Sequence, residues 1–253
     1  MTDRRVTIDT LHVDDVGFDE TVARIVAWAR DGSGGYVTTP NVDHVVRARR
    51  DPEYRRIVMD ARLRAPDGMG IVYGSRLAGR PLRETVTGRL LPEAVARSAG
   101  RDGPAIGLLG GQPGAASRAA ARLEAAGGRV VEALEPSMAF QPGTEEDHRA
   151  VEALRRSRAR VVFIGLGSPK QERWMAAHAA DLPQTVLIGI GQGIDVLGGV
   201  VSAAPRWMTR LGLEWAFRLV NDPRRLARRY LWDDPRFFWW MLRSRGSGPA
   251  KGP

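Results

Sequence analysis

Three short apolar runs in the second half of the chain each end in a glycine-rich turn, and this pattern limits the fold more than any other feature. Ala105–Leu109, Val161–Ile164 and Val186–Ile190 are rich in β-branched and aliphatic residues, and they lead into GGQPG (110–114), GLGSPKQE (165–172) and GIGQGID (189–195). The first two turns open into stretches with helical periodicity, Ala115–Ala126 and Gln171–Ala180. Near-continuous apolar strands separated by helices require a parallel sheet covered on both faces. The expected fold is therefore α/β, a Rossmann-like and mostly parallel sheet. Such a sheet binds its ligand beyond the carboxyl ends of its strands, where all three turns fall.

The first half reads the same way. Thr21–Ala29 is an amphipathic helix, Tyr36–Thr39 a β-rich run ending in Pro40-Asn41, and two helical stretches broken at Pro52 follow. A short strand at Leu63–Ala65 leads to Pro66-Asp67-Gly68, and Met69–Leu77 reads as a buried helix. From about Ser202 the composition changes. Five of the seven tryptophans (Trp207, Trp215, Trp232, Trp239, Trp240) lie in this segment, and residues 205–245 hold ten arginines against Glu214, Asp222, Asp233 and Asp234. That is +6 of the chain's net +9. A localised basic charge calls for an anionic partner. We read residues 1–201 as the α/β core, 202–245 as a helical appendage that the core does not need in order to fold, and 246–253 as a disordered tail.

Composition removes several classes. With no cysteine there is neither a disulfide framework nor a thiolate metal site. The N-terminus has no apolar signal core, and no run of eighteen apolar residues occurs to span a bilayer. There is no D-x-D pair, and His12, His44, His148 and His178 form no i, i+4 pair and read mostly as surface residues. No metal and no cofactor are expected.

Several residues are candidates for chemistry, each beside a plainer role. The amides of Gly110, Gly111 and Gly114, or of Gly165 and Gly167, can cradle a diphosphate at a helix start, or the glycines can simply permit a tight turn. Asp67 at a strand end can serve as a general base or cap the next helix. Thr39 and Asn41 can orient a sugar or a base, or shape their turn. Gln171 can meet a ribose or sugar hydroxyl, although Ser168 as N-cap with Pro169 at the first helical position is ordinary helix-start chemistry. Asp195 can hold ribose hydroxyls or cap its own segment. A departing diphosphate without a metal needs arginine, and the appendage is rich in it.

Taken together, TPN (39–41), APDG (65–68), LLGG (108–111), GLGSPKQE (165–172) and APRWMTRLGLEWAFRLVNDPRRLARRYL (204–231) resemble the WecG/TagA/CpsF family, in order, from about residue 6 to residue 240. These are bacterial glycosyltransferases that add N-acetylmannosamine or related sugars to polyprenyl-diphosphate-linked GlcNAc for teichoic acids, enterobacterial common antigen or capsules. The resemblance implies an inverting, metal-independent transferase using a UDP-sugar donor and a polyprenyl-diphosphate-linked acceptor. It implies a C-terminal appendage that docks on an anionic membrane, here the cytoplasmic face of the plasma membrane. It places the base at Asp67 and the donor contacts at Thr39, Asn41 and Gln171. Arginines of the appendage, Arg218, Arg225 and Arg228 among them, are expected over the diphosphate. A homo-oligomer is allowed for. Two positions depart from the family pattern: Thr85 stands where the family commonly has arginine, and Leu90 where it commonly has aspartate, with Arg83 or Arg89 as neighbouring substitutes.

Two other functions fit less well. An NAD-type oxidoreductase would need a complete G-x-G-x-x-G and an acid at the end of the next strand, and both are missing. A nucleic-acid-binding module would use the basic C-terminus, but arginine interleaved with large apolar residues at helical spacing suits a membrane interface better than a groove. No nucleic-acid partner is expected.

Overall fold

The computed structural model describes residues 4–205, 208, 214–221, 224 and 229–244. Its centre is a six-stranded, wholly parallel sheet in the order β4-β3-β8-β7-β5-β6. The strands are β3 (Gly35–Thr38), β4 (Leu63–Arg64), β5 (Ile106–Gly110), β6 (Val130–Leu134), β7 (Val161–Gly165) and β8 (Val186–Gly189). Side chains alternate between two buried faces. Val37, Ile106, Leu108, Val161, Phe163, Val186 and Ile188 point to one. Tyr36, Leu109, Val162, Ile164 and Leu187 point to the other. The first face is covered by α1 (Phe18–Asp31), α5 (Leu91–Ala99), α6 (Ala115–Ala125) and the short α9 (Gly193–Leu197), the second by α7 (Glu145–Ser157) and α8 (Lys170–His178). The α/β expectation holds, and burial on both faces is why the strands read as unbroken apolar runs.

Between β5 and β7, which are hydrogen-bonded neighbours, the chain changes direction: β5 leads through α6 to β6 on one side, and β7 leads through α8 to β8 on the other. A crevice at the carboxyl ends follows from that reversal. The turns that line it are GGQPG and GLGSPKQE.

A third packed region lies beside the sheet edge. An antiparallel hairpin, β1 (Arg5–Ile8) and β2 (Leu11–Asp14), buries Val6, Ile8, Leu11 and Val13 against α2 (Val42–Arg50), α3 (Pro52–Asp60) and α4 (Met69–Leu77). Asp14 fastens it to β4 by a buried ion pair with Arg64 at 3.0 Å and by accepting the Arg64 backbone N–H at 2.8 Å. The C-terminal segment contributes α10 (Glu214–Asn221) and α11 (Asp234–Arg243). Phe237 and Met241 of α11 are fully buried among the α2, α4 and hairpin residues. Gly74 of α4 makes room for them, because a side chain there would collide with the Phe237 ring. Arg50 adds an ion pair to Asp233 at 2.8 Å. Among the described residues no helix is long and apolar enough to cross a membrane.

Candidate active site

The turns after β3 and β4 are built against one another. The Asp67 N–H donates to the Pro40 carbonyl at 2.9 Å, and the Ala65 N–H to the Thr38 carbonyl at 3.0 Å. Thr39, buried, donates its hydroxyl to the Gly189 carbonyl at 3.2 Å, so the ends of β3 and β8 are joined as well. Asn41 is the N-cap of α2, its Oδ1 accepting the Asp43 N–H at 3.0 Å. Asp67 does not cap α4. Gly68 holds that position with φ near 80°, which leaves the half-buried Asp67 one residue outside the helix at the strand end. Asp67 is thus not the N-cap residue of α4, whereas Asn41 does fill its plain turn role.

The glycine turn after β5 differs from the anion cradle expected of it. The Gly114 and Ser117 N–H groups at the start of α6 donate to the Glu135 carboxylate at 2.7 and 3.0 Å, and these bonds hold its carboxyl below the usual range. The Gln112 N–H donates to Asp195 Oδ1 at 2.6 Å, and the Gly111 N–H to the Gly165 carbonyl at 3.3 Å. An anion here would displace the protein's own carboxylates. Gly110 and Gly111 are required by close approach instead: a Cβ would stand 2.6 Å from the Gly165 backbone at the first and 2.8 Å from Ile194 at the second. Asp195, buried on α9, braces this turn. Gly167 differs, since a Cβ there would meet nothing within 4 Å while its φ of 74° favours glycine.

Helix α8 also starts in its own way. Pro169 occupies the N-cap after a cis Ser168–Pro169 peptide, and the Ser168 hydroxyl bonds Tyr54 Oη at 3.0 Å rather than capping α8. Gln171 is buried. Its Oε1 accepts the Gly191 N–H at 2.9 Å, and its Nε2 donates to Glu172 Oε1 at 2.7 Å.

His44 and Glu172 form a buried pair that the sequence did not reveal. His44, expected at the surface with the other histidines, is 4% exposed and lies 3.3 Å from Glu172 Oε1 through Nε2. Burial pushes the Glu172 carboxyl up, but the bond and charge of His44, with Gln171, outweigh it and hold the group below its usual range. Its second oxygen, Oε2, is buried and makes no hydrogen bond within ordinary distance and angle, while the Ser168 side chain also helps to hold the carboxyl low. His12 and His148 are exposed, and His178 is mostly buried between Asp147 and Asp181. Among the described residues no three His, Asp or Glu side chains converge as a metal site.

Thr85 takes a structural part. Its hydroxyl accepts the Gly68 N–H at 2.6 Å and reaches the Pro66 carbonyl at 3.3 Å, pinning the Pro66–Gly68 turn. Arg83 is turned away to Asp15 and Glu20, and Arg89 is half-buried in the 3-10 turn Gly88–Leu90. That turn faces Thr39, since a Cβ on Gly88 would stand 3.2 Å from its Oγ1. Arg225 and Arg228 lie outside the described residues, as does the Arg218 side chain. The outer face of the C-terminal segment is aromatic and basic. Trp232 and Trp239 are more than half or half exposed, Arg236 and Arg243 lie 4.6 and 3.8 Å from the two ring centroids, and Tyr73 of α4 is exposed nearby.

A relative from Bacillus spizizenii named N-acetylglucosaminyldiphosphoundecaprenol N-acetyl-beta-D-mannosaminyltransferase is 29% identical over 196 residues, which cover 77% of this chain and 74% of the relative. The profile described as Glycosyl transferase WecG/TagA/CpsF family matches residues 6–250, which takes in every turn of the site and the C-terminal helices. The chain is a glycosyltransferase and belongs to the WecG/TagA/CpsF family.

Proposed function

We propose that this chain moves an N-acetylmannosamine-like N-acetylhexosamine from a UDP-sugar to GlcNAc carried on polyprenyl diphosphate, for cell-surface polysaccharide, with inversion and without a metal ion. The observation that carries the reading is the joined pair of turns: a carboxylate outside any helix, Asp67, fixed through its backbone beside Thr39 and Asn41 at the carboxyl end of the sheet. The relative's name supplies the acceptor and the sugar. In the reaction Asp67 takes the proton from the acceptor hydroxyl as that oxygen attacks the anomeric carbon. The bond from that carbon to the β-phosphate oxygen breaks, UDP leaves with the electron pair, and a single displacement inverts the centre. Thr39 and Asn41 meet the donor, Gly167 leaves space beside it, and Gln171 and Asp195 hold the turns around it. Arg218, Arg225 and Arg228 balance the departing diphosphate, the task a metal performs elsewhere. The exposed Trp232 and Trp239 with Arg236 and Arg243 attach the enzyme to the anionic cytoplasmic face of the membrane, where the acceptor resides. Self-association is compatible with this arrangement.

The test is a donor panel of UDP-ManNAc, UDP-GlcNAc and UDP-ManNAcA against a short-chain GlcNAc-diphosphate lipid, in EDTA, with product mass and anomeric configuration determined. A β-linked disaccharide from UDP-ManNAc is expected. No product from any donor would remove the reading, and product only after manganese or magnesium is restored would remove its metal-free part.

A further inference from the structure

Glu172 joins more of the site than its neighbours do. On its Oε1 converge Gln171 Nε2 at 2.7 Å and His44 Nε2 at 3.3 Å, and since an ionised carboxylate only accepts, both nitrogens are donors. Gln171 carries the link on to the turn after β8 through the Gly191 N–H. His44 carries it to the turn after β3: Nδ1 lies 3.0 Å from Asn41 Oδ1 and 3.4 Å from the Asn41 amide nitrogen. Asn41 Oδ1 also accepts the Asp43 N–H, which identifies that atom as the oxygen and holds it on the protein side. The adjoining Pro40 carbonyl receives the Asp67 N–H. One side chain on α8, the helix that follows β7, therefore links the turns after β3, β4 and β8.

A brace alone does not call for a charge. Burial disfavours the charged form, and a glutamine could accept the same two bonds without carrying a charge. What the carboxylate adds is a strong, directional hold on the imidazole, which sets the ring and through it the Asn41 amide. We propose that Glu172 and His44 are positioning residues for sugar transfer, fixing the Asn41 amide and the Thr39–Asn41 turn against Asp67. This rests on the reading of that site given above. Neither residue touches the reacting atoms; both act through Asn41.

The experiment is a double-mutant cycle on the full chain, with Glu172→Gln, Asn41→Ala and their combination, reading kcat, KM for the donor and Tm. Wild-type turnover is established first, so that its absence removes the functional reading and not this inference. Glu172→Gln is expected to lower kcat by about 10²-fold, as a misplaced group does, at full folded fraction and with KM changed far less. In the Asn41→Ala background the same change is expected to add less than about twofold, since coupled sites are non-additive. Equal losses in both backgrounds, or a kcat loss that only follows the folded fraction, would overturn the proposal. His44→Gln enters the same cycle and decides the matter if Glu172→Gln does not fold. A readout independent of turnover is the ¹⁵N spectrum of the His44 ring, assigned with His44→Gln. Its resonances are expected to move in both Glu172→Gln and Asn41→Ala, and an unmoved ring in either breaks the chain of contacts.

Discussion

The backbone N–H of Asp67 donates to the carbonyl of Pro40 at 2.9 Å, across the end of the sheet. Because Pro40 lies between Thr39 and Asn41, this bond fixes the distance between the proposed base and the residues proposed to hold the donor. The bond is made by the Asp67 backbone and not by its carboxylate. The turn's geometry and its chemistry are thus assigned to different groups, and they can be separated by mutation.

Asp67→Asn is the first such separation. The backbone bond survives, and α4 keeps Gly68 at its N-cap, so Tm is expected to stay close to wild type. Turnover is expected to fall by at least about 10²-fold, the low end for a general base. A variant with normal turnover would show that the carboxylate does not take the proton.

Thr85→Val tests the turn itself. The substitution keeps the shape and removes the hydroxyl that accepts the Gly68 N–H at 2.6 Å. A lost bond with its partner left in place costs about 1–3 kcal/mol. Tm is expected to fall accordingly, and kcat is expected to fall further than the folded fraction, since the same turn carries Asp67. Unchanged Tm and kcat would mean that Thr85 contributes nothing to the turn.

The Glu172 carboxyl titrates below its ordinary 4.5 in the folded protein. The stability it contributes is therefore fully present above about pH 4.5 and is lost as the pH falls through its lower folded value. Comparing thermal unfolding of wild type and Glu172→Gln from pH 7 down to pH 3 checks this. The gap between the two Tm curves is expected to narrow only below pH 4.5. Parallel curves throughout would show that the charge plays no part in stability.

Phe237→Ala addresses the C-terminal segment. The sequence led to the expectation that residues 202–245 are dispensable for folding, because the sheet and its helices are complete by Val201. The burial of Phe237 and Met241 against α4 and α2 changes that expectation. Removing a buried phenylalanine costs about 3–5 kcal/mol, so Phe237→Ala and truncation after Val201 are both expected to lower Tm markedly. A truncated protein as stable as the full chain would restore the earlier view.

These cases show what the sequence could convey. β5, β7 and β8 were legible because each is buried on both faces and ends in glycine, and Met69–Leu77 was found to the residue. β6 (VVEAL) is not legible because it is an edge strand, partly exposed along its length, and the hairpin β1–β2 because its strands, RVTI and LHVD, mix polar with apolar residues and end in no glycine. Asp67, Thr39 and Asn41 were visible as polar residues at strand ends. The His44–Glu172 pair was not, since its members are 128 residues apart and each looks unremarkable in its own helix. The occupation of the α6 N-terminus by Glu135 is hidden for a related reason: the carboxylate comes from the residue just after β6. Local pattern conveys which face is buried, but not which distant polar side chain meets another.

The outward face of α11 bears on membrane attachment. Phe237 and Met241 point inward while Trp239 and Leu242 point out, so the outer residues can be changed without touching the packing. In the proposed attachment Trp232 and Trp239 enter the headgroup layer, and Arg236 and Arg243, which lie over their rings, meet anionic phosphates. Each such arginine is worth about 1 kcal/mol at an anionic surface, or roughly a fivefold change in binding. Arg236→Ala with Arg243→Ala is therefore expected to weaken binding to phosphatidylglycerol-containing vesicles by about 25-fold, and Trp232→Ala with Trp239→Ala to weaken it at high and low salt alike. Wild-type binding should fall between 0.1 and 1 M salt, as the screening length shrinks from about 10 to about 3 Å. Turnover of a water-soluble acceptor should not change in any of these variants, because none of the four residues is assigned to the reaction. If all four are replaced and vesicle binding persists, the membrane is met by another surface. If soluble turnover falls while Tm holds, α11 acts on the site through α4, and attachment is not its whole role.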